Sequence, residues 1–258
     1  MWKRLDFNPI KLITCVGGLS VLLLTFHIGL NLNANNTNNE TQTSITQPSP
    51  IQLQQQAAAI TVKVISTNFL GSGILLKQED NVYTILTNAH VLAADEPPYK
   101  IVTPDGKEHQ AEVLKKPEWE KYDLATLTFS SQINYSVAVM GEKPNPGDEV
   151  LVVGFPVNQA NNTAKNLTFT TGNISLILDK ALEGGYQIGY TNQLDKGMSG
   201  GALLNNRGEL IGVNGMHAYP IWDIPSVFID GTPAVDTLHQ KIIKLSWAVP
   251  IDKVDISP

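Results

Sequence analysis

The segment of this chain best suited to chemistry is Gly197-Met198-Ser199-Gly200-Gly201. Small residues on either side of a serine let another backbone approach closely and leave the Ser199 hydroxyl exposed. A hydroxyl alone is a weak nucleophile. It needs a base to take its proton, and the base needs a carboxylate to orient it. Two other segments supply those types: Thr84–Val91 runs as an apolar strand into Ala89-His90, and Tyr122-Asp123 opens the apolar run Leu124–Leu127. Gly-x-Ser-x-Gly is also the pattern of a nucleophile elbow, which a helix must follow. Here Ala202-Leu203-Leu204, a turn at Asn205–Gly208 and Glu209–Val213 follow. That is a hairpin, so the elbow is rejected, and with it an esterase of that kind. The chemistry these three residues would perform together is acyl transfer at a carbonyl.

The elements that must position them are strands. From Ala57 onward, short β-branched or apolar runs alternate with turn signals. A first set comprises Ile60–Ile65, Gly73–Leu76, Tyr83–Leu86, Ile101–Thr103, Glu112–Leu114 and Leu124–Phe129. A second comprises Val150–Gly154, Leu167–Thr171, Ile174–Ile177, Tyr186–Tyr190, Ala202–Leu204, Glu209–Val213 and Ser246–Val249. Pro104-Asp105-Gly106 and Glu183-Gly184-Gly185 are among the turns, and the Gly/Pro-rich stretch Gly141–Gly147 divides the sets. Many short strands at this spacing imply a sandwich or barrels. One helix is expected late, capped by Thr232, with Pro233 in its first turn and Val235, Leu238, Ile242 and Ile243 as its apolar face. Of the other histidines, His109 reads as part of a polar turn and His239 as lying on the helix's exposed face. The sequence carries no repeat, metal-ligand cluster or phosphate loop.

The order histidine, aspartate, serine resembles that of the chymotrypsin-fold (trypsin-like) serine peptidases, and within them the bacterial HtrA-type, disulfide-free branch. Thr87–Val91 resembles their Thr-Asn-x-His-Val, and Asp123–Leu127 their Asp-Leu-Ala-x-Leu. Gly197–Gly201 matches Gly-Asn-Ser-Gly-Gly except at Met198. Gly208–Gly212 is similar to Gly-x-Leu-Ile-Gly, Trp247–Pro250 to Phe-Ala-Ile-Pro, and Gly71-Ser72-Gly73 also fits. The resemblance covers about residues 57–254. It implies an all-β fold of two six-stranded antiparallel barrels, one over about 57–140 and one over about 148–254, with the short helix in a late insertion. It implies a serine endopeptidase with His90 as base, Asp123 as its orienting carboxylate, Ser199 as nucleophile, and the Gly197 and Ser199 amides as oxyanion hole. No cofactor or metal is implied. Each residue taken singly also suits a structural role, so the alternative is a silent binding or chaperone-like module on the same fold.

Departures from the pattern shape the expectations. Met198 cannot form the ion pair that activates digestive relatives after cleavage, and no Arg/Lys-Ile-Val-Gly-Gly start is present. Counting from Gly212, the position that offers the aspartate a hydroxyl in many relatives is Gly215, which implies fewer hydrogen bonds to Asp123 and modest activity. Gln193, Leu194, Asn214, Gly215 and His217 are expected around the substrate pocket. Gln193 lacks the acid of trypsin-like cleavage, and Leu194 and Asn214 lack the residues of glutamate-specific relatives. A neutral, apolar preference follows. The insertion Met216–Leu245, with Tyr219, Trp222 and Phe228, is expected either as a lid or as a packing appendage. The relatives' carboxyl-terminal PDZ module has no counterpart up to Pro258, so peptide-tail sensing is not expected.

The first fifth of the chain reads differently. Lys3, Arg4 and Lys11 precede Leu12–Leu30, a run without formal charge that holds Cys15 and His27. About 20 apolar residues span a bilayer, so residues 1–30 read as an export segment. No good Ala-x-Ala site follows, Leu32-Asn33-Ala34 being a poor match, which favours an uncleaved signal anchor over a cleaved signal peptide. The basic flank leaves the N-terminus in the cytoplasm and exports the rest, tethered to the membrane or secreted if the segment is cut. Residues 31–56, rich in Asn, Thr and Gln, read as a disordered linker, which leaves 57–258 as the folded domain. The single cysteine excludes an intramolecular disulfide framework. Lys+Arg 18 against Asp+Glu 24 gives a net charge of −6 without a basic stripe. Nucleic acid is therefore not an expected partner, whereas a polypeptide substrate is.

Overall fold

The structure, a computed structural model, describes residues 47–116, 119, 121–158, 160–161, 163–219 and 226–254. The expected membrane segment, with His27 and Cys15, and the linker up to residue 46 lie outside the described residues, as does Trp222. Among the described residues no helix is long and apolar enough to cross a membrane.

The first barrel closes in the order β1-β2-β3-β6-β5-β4, from β1 (Thr61–Ile65), β2 (Phe69–Glu79), β3 (Val82–Thr87), β4 (Tyr99–Val102), β5 (Glu108–Leu114) and β6 (Ala125–Ser130). The second closes as β10-β11-β14-β13-β12-β7, from β7 (Glu149–Gly154), β10 (Thr168–Ile177), β11 (Ile188–Tyr190), β12 (Ala202–Asn205), β13 (Leu210–Met216) and β14 (Ser246–Pro250). All neighbouring strands of both barrels pair antiparallel. A two-stranded ribbon, β8 (Val157–Asn158) with β9 (Thr163–Ala164), stands apart from the barrels.

Successive residues of a strand face opposite sides, and here the two sides feed different cores. In β7, Val150 and Val152 fill the second barrel, whereas Leu151 and Val153 join a cluster shared with residues of the first barrel. Leu75 and Ile85 fill the first barrel, and their neighbours Ile74, Leu76 and Leu86 belong to that same shared cluster. These strands therefore read as continuous apolar runs rather than as alternation.

Several expectations are corrected here. Residues 50–56 are not linker: α1 (Pro50–Ile60) begins there. Ser49 caps it in a reciprocal box with Gln52, Pro50 occupies the first turn, and Ala57 and Ile60 dock on the shared cluster. A Ser-Pro-x-Gln start is a helix signal; the surrounding glutamines masked it, because they face solvent. The runs Leu167–Thr171 and Ile174–Ile177 are one strand, β10. Its first half pairs with β7 and its second with β11. The late helix, α3 (Asp236–Ile242), follows Val235 rather than Thr232, whose hydroxyl instead bonds Asp230. Val235 is exposed, and His239 is buried: it accepts the Ser226 N–H at 3.2 Å. His109 lies in β5, 4.6 Å from the Phe129 ring, not in a turn.

The described part of the insertion docks on the second barrel. Trp247 Nε1 donates to the Ile242 carbonyl at 2.9 Å, and Phe228 bridges Leu182. It also walls a cavity of about 480 Å³ with Asp123, Tyr186, Met216 and His217 on its lining. The described part of the insertion thus packs on the second barrel and borders the cavity beside Asp123.

Candidate active site

His90 sits in α2 (Ala89–Leu92), a single helical turn that continues β3. Asp123 precedes β6, the strand paired with β3. Ser199 lies on the loop before β12, across the seam. Histidine and aspartate therefore come from one barrel, and serine from the other.

The Asp123 carboxylate holds His90 twice. Oδ1 accepts the His90 backbone N–H at 2.9 Å, and Oδ2 faces the ring Nδ1 at 2.6 Å. With Nδ1 donating, Nε2 is left as the acceptor. The Asp123 side chain is 15% exposed and that of His90 48%, so the carboxylate is sheltered while the imidazole is open to a reactant. Burial by itself would push the Asp123 carboxyl up. The His90 ring, through its hydrogen bond and its charge, followed by a third donor and by the His90 amide, outweighs burial and holds the group below its usual range.

That third donor is the Tyr186 hydroxyl, bonded to Asp123 Oδ2. The expectation of a poorly supported aspartate at Gly215 is corrected by it. Gly215 has no side chain, and a Cβ placed there would meet the Tyr186 ring at 2.8 Å. Burial, and then the Asp123 charge, push the Tyr186 phenol far up, so it stays protonated and donating. The backbone agrees: Asp123 N–H donates to the Gly184 carbonyl at 2.8 Å. The Glu183-Gly184-Gly185 turn of the second barrel thus reaches across the seam to Asp123.

The serine loop is fixed by groups around it. Met198 is fully buried in the second barrel's core. Gly197 has φ +97°, a conformation that favours glycine, and a Cβ there would lie 2.7 Å from the Phe155 carbonyl. The Lys196 carbonyl accepts the Val157 N–H at 2.7 Å, and the Met198 carbonyl accepts the Gly201 N–H at 3.1 Å. Because peptides are planar and trans, the N–H groups of Gly197 and Ser199 point opposite to those carbonyls. Neither amide donates to another described residue. Two oriented, unspent donors beside a serine can hold an oxyanion. The Ser199 hydroxyl makes its own bond to the Gly215 carbonyl at 3.4 Å, and none to His90.

Two residues tie the halves together, Asn88 within Thr87–Val91 and Ser72 within Gly71-Ser72-Gly73, and no local signal in either motif marks the task. Asn88 is buried; its Nδ2 donates to the Asp123 carbonyl at 2.7 Å, and its Oδ1 accepts the Gly200 N–H at 2.7 Å. It stands at the start of α2 but makes no side-chain capping bond, because both ends of the amide are engaged across the seam. Ser72 donates its hydroxyl to the Gly197 carbonyl at 2.9 Å and accepts the Phe155 N–H at 2.8 Å, while its amide donates to the Ser199 carbonyl at 2.9 Å.

The expected pocket residues divide. Gly215 adjoins Ser199 through its carbonyl. Leu194 packs on the second barrel's core, and Gln193 is exposed. His217 is exposed on the lining of the large cavity beside Asp123. Asn214 does not face a pocket. It is fully buried, its Oδ1 accepting from Tyr190 and its Nδ2 donating to the Ala202 carbonyl. A polar side chain that far inside must have both ends paired, which is why it turned inward.

Two closed six-stranded barrels with a histidine–aspartate pair on one and a Gly-flanked serine on the other define a class, the two-barrel serine hydrolases. The sequence model of the trypsin-like peptidase domain matches residues 71–213, more than half of the chain. The chain belongs to that family. It is 30% identical over 156 residues to Serine protease HTRA1 of Xenopus laevis, covering 56% of this chain and 30% of that protein. It is also 30% identical over 158 residues to Serine protease HtrA-like of Staphylococcus aureus, covering 57% and 20%. The chain thus spans less than a third of the length of these curated relatives. A crystal structure of the serine endoprotease from Yersinia pestis superposes with a TM-score of 0.58 at 24% identity, over 80% of this chain and 63% of that one. That likeness concerns the fold.

Proposed function

We propose that this chain is a serine endopeptidase that cleaves exported polypeptides through an acyl-enzyme. The observation that carries the reading is the double hold of Asp123 on His90, backbone and ring, which leaves Nε2 free to act as the acceptor. His90 takes the Ser199 proton as the hydroxyl attacks the peptide carbonyl. The tetrahedral oxyanion lies against the Gly197 and Ser199 amides. His90 then gives the proton to the leaving amine, and water repeats the cycle on the ester. Asp123 fixes the imidazole tautomer and stabilises its cation.

Activation by a new N-terminus is not part of this reading. The Met198 side chain is buried among apolar residues and has no charge to offer. The Val157 amide already holds the peptide that aims the Gly197 N–H. Gln193 and Leu194 favour a neutral, apolar residue before the scissile bond, with His217 on the rim. The charge pattern of residues 1–30 favours membrane anchoring with the barrels outside the cytoplasm.

One observation favours a second reading, a silent binding module: the Ser199 hydroxyl rests on the Gly215 carbonyl and not on His90. A fluorophosphonate probe separates the two. The full chain should be labelled, and Ser199→Ala and His90→Ala should both lose the label. A folded parent that stays unlabelled refutes the endopeptidase reading.

A further inference from the structure

We infer that Tyr186 is a positioning residue for the His90–Asp123 pair, occupying from a turn of the second barrel the place that a side chain at position 215 would otherwise fill. The inference rests on the endopeptidase reading of the same site.

Three observations meet at this point. The Tyr186 hydroxyl donates to Asp123 Oδ2, the oxygen that also faces His90 Nδ1. That oxygen therefore has two donors at a fixed angle to each other, and the carboxylate can rotate about neither without breaking a bond. Position 215 has been emptied to admit the ring: a Cβ on Gly215 would sit 2.8 Å from both Cε1 and Cζ of Tyr186, and nearer still to the hydroxyl. Real Cβ atoms do not tolerate such contacts, so Tyr186 and a larger residue at 215 exclude one another. The third observation is the turn. Gly184 has φ +76°, and a Cβ there would lie 3.0 Å from the Tyr186 ring and 3.2 Å from the Asp123 Cβ. Its carbonyl holds the Asp123 amide at 2.8 Å, and Leu182 N–H to Tyr186 C=O at 2.8 Å closes the turn beneath. Glycine at 184, tyrosine at 186 and glycine at 215 thus form one fitted set around a single carboxylate. A tyrosine kept only for packing would also empty position 215, but it would not need the bond to Oδ2.

Exchange between the two positions gives the test. Tyr186→Phe keeps the ring and removes the donor. It should lower kcat/KM on a peptide substrate by about 10-fold, the effect of one hydrogen bond to a charged group, with the loss in kcat and KM little changed. Tyr186→Ala should lose more. Gly215→Ser should reduce the parent's activity, because its Cβ displaces the ring, yet restore activity in the Tyr186→Ala background, where the serine hydroxyl has room to reach Asp123. Opposite signs of one substitution in two backgrounds are the signature of exchange. A Gly215→Ser change that leaves the parent unaffected, or that fails to rescue Tyr186→Ala while thermal unfolding shows all variants folded, overturns the proposal. A second readout needs no turnover: the low-field NMR signal of the His90 Nδ1 proton. It should move further downfield in Tyr186→Phe, where Oδ2 has lost a competing donor, and return toward its parental position in the double variant. An unchanged signal in Tyr186→Phe also overturns the proposal. If the parent ignores the fluorophosphonate probe, the endopeptidase reading falls, and this signal still decides for or against Tyr186.

Discussion

Asn88→Ala is the perturbation that most directly tests whether the two barrels are locked together at the site. The asparagine amide donates to the Asp123 carbonyl and accepts from the Gly200 amide, each at 2.7 Å. Each bond contributes about 0.5–1.5 kcal/mol net, and a buried partner left without one costs about 1–3 kcal/mol. The two partners do not suffer alike. Gly200 N–H keeps a second acceptor, the Asn214 carbonyl at 2.8 Å. The Asp123 carbonyl accepts from no other described residue. The expected loss is therefore about 2–4 kcal/mol, dominated by one stranded carbonyl. Reactivity should fall by more than stability alone requires, because the same amide sets the distance between His90 and Ser199. Urea unfolding of the full chain measures the first effect, and the fluorophosphonate labelling rate in the absence of urea measures the second. Asn88→Asp is the control: it keeps the acceptor for Gly200 but sets a carboxylate against the Asp123 carbonyl, so it should rescue neither quantity. An Asn88→Ala variant that unfolds within about 0.5 kcal/mol of the parent, the range of an ordinary surface substitution, and reacts at the parent's rate would refute the reasoning.

Acid should act through Asp123. Its folded pKa lies below the ordinary carboxylate value of about 3.9, so its contribution to stability is fully present above that value. The contribution is lost as pH falls through the lowered pKa. Urea unfolding from pH 6 down to pH 2 should show a decline that Asp123→Asn flattens; equal declines in both would sink this assignment. Met198→Ala should destabilise by about 2–5 kcal/mol through the cavity it leaves in the second barrel, and should slow labelling because the serine loop hangs on that side chain. Unaltered labelling would show that the loop is held without it. Ser49→Ala should cost about 1 kcal/mol by uncapping α1 and leave the labelling rate intact, as the helix docks away from Ser199.

The three residues proposed to react could be named from sequence because each lies in a local pattern with its own chemistry: a strand end before His90, a strand start after Asp123, glycines around Ser199. The barrels were legible from runs and turns, since β7 and β3 bury both faces. The misreadings share a cause, which is that a side chain's direction depends on tertiary contacts. Asn214 was expected at a pocket because of its place on a strand, but the next barrel layer supplied donors and acceptors for both ends of its amide. His239 was expected outside because it lies off the helix's apolar stripe, but the Ser226 segment folds over it and donates to its ring. The helix α1 was hidden by composition: its glutamines are exposed, and only Ala57 and Ile60 bury.

The support of Asp123 shows why such misreadings fall where they do. In sequence, Gly215 reads as a missing hydroxyl, Glu183-Gly184-Gly185 as a turn, and Tyr186 as the first residue of a strand. Two of those readings are locally sound, since the turn is there and Gly215 does lack a hydroxyl; the third is corrected, because β11 begins only at Ile188 and Tyr186 stands ahead of it, beside the turn. The inference that Asp123 is therefore under-supported fails because a carboxylate oxygen does not specify which strand must serve it. It specifies a distance and a direction, and any donor that satisfies both will do. Tyr186 reaches it from a turn of the second barrel because its phenol is longer than a serine side chain, and because glycine at 184 and 215 clears the path. A donor can thus change its place in the chain while keeping its place in space. What a sequence pattern preserves is the atom that needs the bond; what only the fold displays is the atom that makes it.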